Sequence, residues 1–157
     1  MEKRKKSDSK VQREIEEKVL KAIQKELNDD TLKSDKVYFD DDKVKFVLPD
    51  FISDDSKTVG EIHAHIGRLK GAQPGKIAKD ILKMLLIQEV CGCDYEKYIV
   101  VCDQEEFDQL NGDSFLAEVI KRFRIKVRLI RLDDSDYERL KKCMRDQNLM
   151  IDADETI

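Results

Sequence analysis

The sequence predicts a single α/β domain, a mixed central sheet of about five strands flanked by helices in the order α-β-β-β-α-β-α-β-α. Three observations lead there. Apolar residues recur at helical spacing in several stretches, and runs rich in β-branched and aromatic residues stand between them. The 157 residues, 40% of them hydrophobic, fit one domain able to bury a core. Neither an internal repeat nor a second apolar core is visible, and six glycines with two prolines argue against a loop-rich chain.

Val11, Ile15, Val19, Ala22, Ile23 and Leu27 predict a first amphipathic helix over 9–27, closed by Asn28-Asp29-Asp30. Residues 37–39 and 43–48 read as two strands joined by a turn at Asp40-Asp41-Asp42, with Val44, Phe46, Leu48 and Asp50 sharing a face at period two. A polar loop over 53–57 leads to a third strand over 58–66. After a glycine-punctuated loop over 67–75, Ile77, Ala78, Ile81, Leu82, Leu85 and Leu86 mark a strongly apolar helix that Gly92 can stop. The continuous apolar run 98–102 predicts a strand covered on both faces. A short helical stretch from Gln104 leads to Ser114, a credible N-cap for a helix ending near Phe123. Residues 125–132 read as the last strand, and a final helix opens over 133–136. The expected organisation is a disordered basic start over 1–9, the domain over 10–149, and an acidic tail over 150–157 that is poorly ordered.

The net charge of -4 hides an uneven layout. Acidic residues crowd 29–55, whereas basic ones gather at Arg68, Lys70, Lys76, Lys79 and Lys83 and again at Lys121, Arg122, Arg124, Lys126, Arg128 and Arg131. A mildly acidic protein can still bind nucleic acid when its basic residues converge on one face. Lys126 and Arg128, if outward on the last strand, guard an edge. The sequence has neither a signal-peptide pattern nor an apolar run of membrane length, so a cytoplasmic protein without membrane contact is expected. In that setting the four cysteines are expected as thiols, and Cys91-Gly92-Cys93 has the wrong spacing for a C-x-x-C site.

The residues richest in chemistry are Pro49-Asp50 and Glu61-Ile62-His63-Ala64-His65, which hold both histidines of the chain. In an extended strand Glu61, His63 and His65 line one side, and Ile62, Ala64 and Ile66 line the other, which faces a core. The polar side must then be solvated, self-paired or coordinating an ion. The bland explanations are a turn-forming Asp50, cross-strand pairing of Glu61 with Lys45 or Lys57, and solvated histidines.

An aspartate ending the second strand and an acidic residue in the third, in this element order over roughly 10–132, resemble the PD-(D/E)XK nuclease superfamily. The resemblance implies a restriction-endonuclease-like fold and phosphodiester hydrolysis assisted by a divalent ion, Mg²⁺ or Mn²⁺, with Zn²⁺ ranked behind them. It implies that Asp50 and Glu61, with the Ile62 carbonyl, hold the metal. Glu16 on the first helix completes the site, with Glu14 and Glu17 as neighbouring alternatives. Gln73 and Lys76 fall where some members carry auxiliary residues. This chain departs from the pattern at His63, which stands in place of the motif lysine. Imidazole can serve as base or metal ligand near neutral pH, but it is no permanent cation. Either His63 takes that role, or Lys70 or Lys76 enters the site, or the site is inactive.

The leading expectation is therefore a metal-dependent nuclease. Asp50, Glu61, His63, Lys70 and Lys76 are its catalytic candidates, and Asp50, Glu61, His63, His65 and Glu16 its metal ligands. Arg68, Lys70, Gln73 and Lys76 are the candidates for phosphate contact. Nucleic acid is the expected substrate, and a homodimer or protein partner would supply specificity. The competing expectations are an inactive nuclease-fold module that binds a protein or nucleic-acid partner, and a small-molecule metallohydrolase built on the His-x-His pair.

Overall fold

In the computed structural model, backbone elements are described from Glu2 to Glu155 and side chains over residues 10–146. The side chains of the basic start over 1–9 and of the acidic tail over 150–157 lie outside the described residues.

Helix α1 spans Glu2–Glu26, starting ahead of the apolar periodicity that predicts it. Two short strands, β1 (Val37–Tyr38) and β2 (Phe46–Val47), pair antiparallel as a separate ribbon. Strand β3 (Phe51–Ser53) then runs antiparallel to β4 (Thr58–His63). Helix α2 (Gln73–Cys91) carries the chain to β5 (Glu96–Val101), parallel to β4. Helices α3 (Gln104–Leu110) and α4 (Phe115–Arg122) lead to β6 (Ile125–Leu129), parallel to β5, and α5 covers Asp134–Glu155. The main sheet is thus four strands in the order β3-β4-β5-β6.

Several sequence expectations need correction. The sheet of about five strands is four strands plus the β1-β2 ribbon. The ribbon leaves Val44, Phe46 and Leu48 exposed, so their period-two spacing does not mark a core face. Asp50 stands just before β3 instead of ending β2, because β3 lies in a stretch read as the approach to a loop. The strand expected over 58–66 stops at His63, which leaves His65 beyond the last sheet residue.

Other local signals have direct structural counterparts. Gly92 ends α2 in a left-handed conformation that favours glycine, and its N–H donates to the Gln88 carbonyl. Ser114 Oγ accepts from the Ala117 N–H at 3.1 Å and caps α4. Lys126 and Arg128 are exposed on the edge strand β6, with Lys126 paired to Glu96 at 2.7 Å. None of the four cysteines forms a disulfide among the described residues, and Cys91 and Cys93 lie around the end of α2.

The sheet separates two apolar layers. Val59, Ile99, Val101 and Ile125 meet α2, α3 and α4 through Ile77, Ile81, Met84, Leu110 and Ile120. On the other side Ile62, Ala64, Tyr98 and Val100 pack with Ile15, Val19 and Ile23 of α1 and Leu140 of α5. Gly60 is needed where β4 crosses Phe51, since a Cβ there would fall 2.0 Å from the ring's Cζ. This packing sets the orientation of β4. Ile62 and Ala64 belong to the α1 layer, and Glu61 and His63 look toward α2 and α3.

Candidate functional site

The carboxyl ends of β4 and β5, where ligands of open α/β sheets commonly bind, gather most of the polar residues singled out above. A cleft of about 950 Å³ opens there. Asp50, Glu61, His63 and His65 line it together with Arg68, Lys70, Gln73 and Lys76. Glu16 lies beside the same aspartate, in an adjoining hollow that Asp50 and Ile62 also line.

Asp50 is held by the sheet itself. Its Oδ2 accepts a hydrogen bond from the Ile62 main-chain N–H at 2.7 Å, which ties the start of β3 to the end of β4. Glu61 is 4% exposed and close enough to Asp50 to share a side-chain hydrogen bond. Burial, then Asp50, pushes the Glu61 carboxyl up to about 9, although Lys83 pulls the other way. Glu16 responds similarly: burial and then the Asp50 charge raise it to about 7. Its neighbours on α1 are placed differently. Glu14 pairs with Arg139 at 2.6 Å, and Glu17 is exposed.

The partner of Glu61 is neither Lys45 nor Lys57. Lys83 of α2 puts its Nζ 2.7 Å from Glu61 Oε1, and 3.9 Å from Asp80 one turn back on the same helix. The contact is an ion pair by distance, yet its angles leave Oε1 without an aligned hydrogen bond. Burial disfavours the Lys83 charge, but Glu61, Asp80 and Asp50 outweigh it, and the ammonium is held above its ordinary range. Asp80 is raised, first by its own burial. A fixed cation absent at position 63 therefore reaches the site from α2.

His63 and His65 form a second group beside the carboxylates. The pair meets Glu106, a fully buried residue in the first turn of α3. His63 Nδ1 contacts Glu106 Oε1, and His65 Nδ1 lies 3.5 Å from Glu106 Oε2. The rings tilt at 30° with centroids 5.3 Å apart. His65 Nε2 contacts the side-chain amide of Gln73. The carboxylate that meets the two histidines is Glu106, and neither Asp50 nor Glu61.

Arg68, Lys70 and Lys76 are exposed on the cleft wall, joined by Lys79. Sequence reasoning placed Lys83 only in a basic cluster, not among the site candidates, and did not name Asp80 or Glu106. Asp80 and Lys83, three residues apart, stand beside the buried stripe Ile77, Ile81, Met84 and Ile87, a position where a lysine can turn inward. Glu106 hides in an Asp-x-x-Glu pattern at a helix start, which reads as an ordinary cap.

The chain matches no protein-family model, no curated protein and no solved structure.

Proposed function

We propose that the protein is a divalent-metal-dependent phosphodiesterase acting on nucleic acid, with Asp50, Glu61 and Lys83 at its centre. The observation that carries this reading is the meeting of Asp50 and Glu61 with the Lys83 ammonium, the two carboxyls lining a cleft that Arg68, Lys70 and Lys76 also line.

The residues suit a hard divalent ion. Asp50, Glu61 and Glu16 bring three carboxyls together, and two of them have raised proton affinity, first through burial and then through the Asp50 charge. Added positive charge offsets both effects. Asp50 and Glu61, with Glu16 behind Asp50, would hold the ion. Once bound, a hard divalent ion supplies charge neutralisation at the phosphate and a more acidic attacking water.

The protein's own groups do the rest. The Ile62 N–H fixes the Asp50 carboxylate. Lys83, kept charged by three neighbouring carboxyls, donates to the attacking water and steadies negative charge developing near Glu61. Arg68, Lys70 and Lys76 bind backbone phosphates, which makes affinity fall as salt rises. The inactive-module reading drew its support from the lysine missing at position 63, and Lys83 removes that support.

Cleavage assays on single- and double-stranded DNA and RNA, each with Mg²⁺ or Mn²⁺, test the proposal. Wild-type protein should cut at least one of these substrates, and Asp50→Ala and Glu61→Ala should not. Absence of cleavage under every combination would overturn it.

A further inference from the structure

We infer that His63, His65 and Glu106 form a second metal centre, suited to a borderline transition ion such as Zn²⁺ and separate from the carboxylate site. The inference stands without the hydrolytic reading, because it rests on other atoms.

The donor set is the first argument. Two imidazoles and one carboxylate suit Zn²⁺, whereas the neighbouring oxygen-only set suits Mg²⁺ or Mn²⁺. One ligand atom from each of the three residues lies within 4.8 Å of the others. Two ligands bound at zinc distances in a tetrahedral site stand about 3.3 Å apart. His65 Nδ1 and Glu106 Oε2 are 3.5 Å apart.

The second argument is polar accounting. His65 Nδ1 and Glu106 Oε2 are buried and have no hydrogen-bond partner among the described residues. Glu106 is 0% exposed and His65 7%. Leaving such atoms unpaired costs about 1–3 kcal/mol each. Among the described residues Glu106 forms no ion pair with a lysine or arginine; its close charged-group contacts are the two histidines. An ion between these atoms satisfies both at once.

The surroundings fit ligation as well. Coordination through Nδ1 leaves the proton on His65 Nε2, the nitrogen that Gln73 contacts. The Gln73 amide then turns its oxygen to that ring, releasing the N–H of exposed Lys70 to water. Three protein ligands leave a fourth position. His63 and His65 line the cleft, so that position opens toward it, the arrangement of a reactive zinc rather than a structural one.

The test uses the full chain stripped with a chelator and then loaded with Zn²⁺ or Co²⁺. Metal retained after desalting is quantified by mass spectrometry, and Co²⁺ geometry is read from its visible spectrum. Wild type should keep one equivalent of Zn²⁺ and give the intense visible bands of a four-coordinate Co²⁺ site. His65→Gln and Glu106→Gln should each weaken binding by at least about 100-fold. Asp50→Asn and Glu61→Gln should keep the full equivalent. Should Glu106→Gln not fold, His63→Gln decides in its place. The inference is overturned if wild type keeps no stoichiometric ion, or if the histidine variants bind like wild type. It is also overturned if Asp50→Asn abolishes Zn²⁺ binding, since that would mean one shared site. Cleavage with Mg²⁺ alone is scored separately, so failure here leaves the hydrolytic reading to its own assay.

Discussion

The carboxylate group and the histidine group start from adjacent residues of β4 on the same side of the sheet, yet they resolve buried charge differently. Around Asp50 and Glu61 the protein supplies its own cation, Lys83, with its ammonium 2.7 Å from Glu61. Around Glu106 it supplies only two imidazoles and leaves a carboxylate oxygen and a ring nitrogen unpaired. The first group is therefore charge-compensated but crowded, and the second is enclosed but incomplete. Burying a carboxylate without compensation is costly, so the two groups are expected to respond oppositely to the same perturbations.

The largest expected effect lies in the chemistry. Asp50→Asn or Glu61→Gln should lower single-turnover cleavage by on the order of 1,000-fold or more, because no other described carboxyl takes over their contacts. His65→Gln, measured with Mg²⁺ alone, should cost far less. Equal losses in both groups would merge them into one site and break the comparison.

Next comes stability. Gly60→Ala, which forces a Cβ against the buried Phe51 ring beneath Glu61, should cost about 1–3 kcal/mol in denaturant unfolding. A neutral result would mean that the β3-β4 crossing does not fix where Asp50 and Glu61 sit.

The pH response sharpens the comparison further. Glu61 is raised to about 9 and Glu16 to about 7, both above their ordinary value of 4.5. A raised folded-state value contributes stability that is fully present below the unfolded pKa and lost as pH climbs through the folded one. Metal-free protein should therefore lose stability progressively between about pH 5 and pH 9. Glu16→Gln should flatten the part between about pH 5 and pH 7, and Glu61→Gln should reduce the slope over the whole interval up to about pH 9. Melts recorded across this range with chelator present check both. Stability that rises over the interval would contradict the crowding described for the carboxylate group.

The smallest effect concerns the Lys18–Asp136 pair between α1 and α5. At 2.8 Å it is about as close as the 2.7 Å Lys83–Glu61 pair, but its lysine side chain is 56% exposed. Lys18→Met should leave the melting temperature near that of wild type, as exposed pairs contribute little. A large drop would show that exposure does not separate the two ion pairs.

Much of this architecture is readable from the chain. The period-two pattern of Glu61 to Ile66 divides β4 correctly into an apolar side toward α1 and a polar side, because one face had to join a core. The caps at Gly92 and Ser114 follow from local chemistry alone. What the pattern misses is contact between distant elements. Strand β3 is too short to announce itself, and its pairing with β4 is what orients Asp50. Lys83 looks like one more solvated helix lysine until α2 packs across β4. Glu106 looks like a cap residue until α3 follows β5 into the sheet's carboxyl end. In both cases the partner is far away in sequence, at Glu61 and at His63, and periodicity carries no information about such pairs.

The role of Lys83 is the point on which the hydrolytic account turns, and single-turnover cleavage by Lys83→Met and Lys83→Arg tests it most directly. The account predicts a loss of about 100-fold or more for Lys83→Met, partial retention for Lys83→Arg, and unchanged Mn²⁺ binding at the carboxylates. Cleavage by Lys83→Met at the wild-type rate would contradict it.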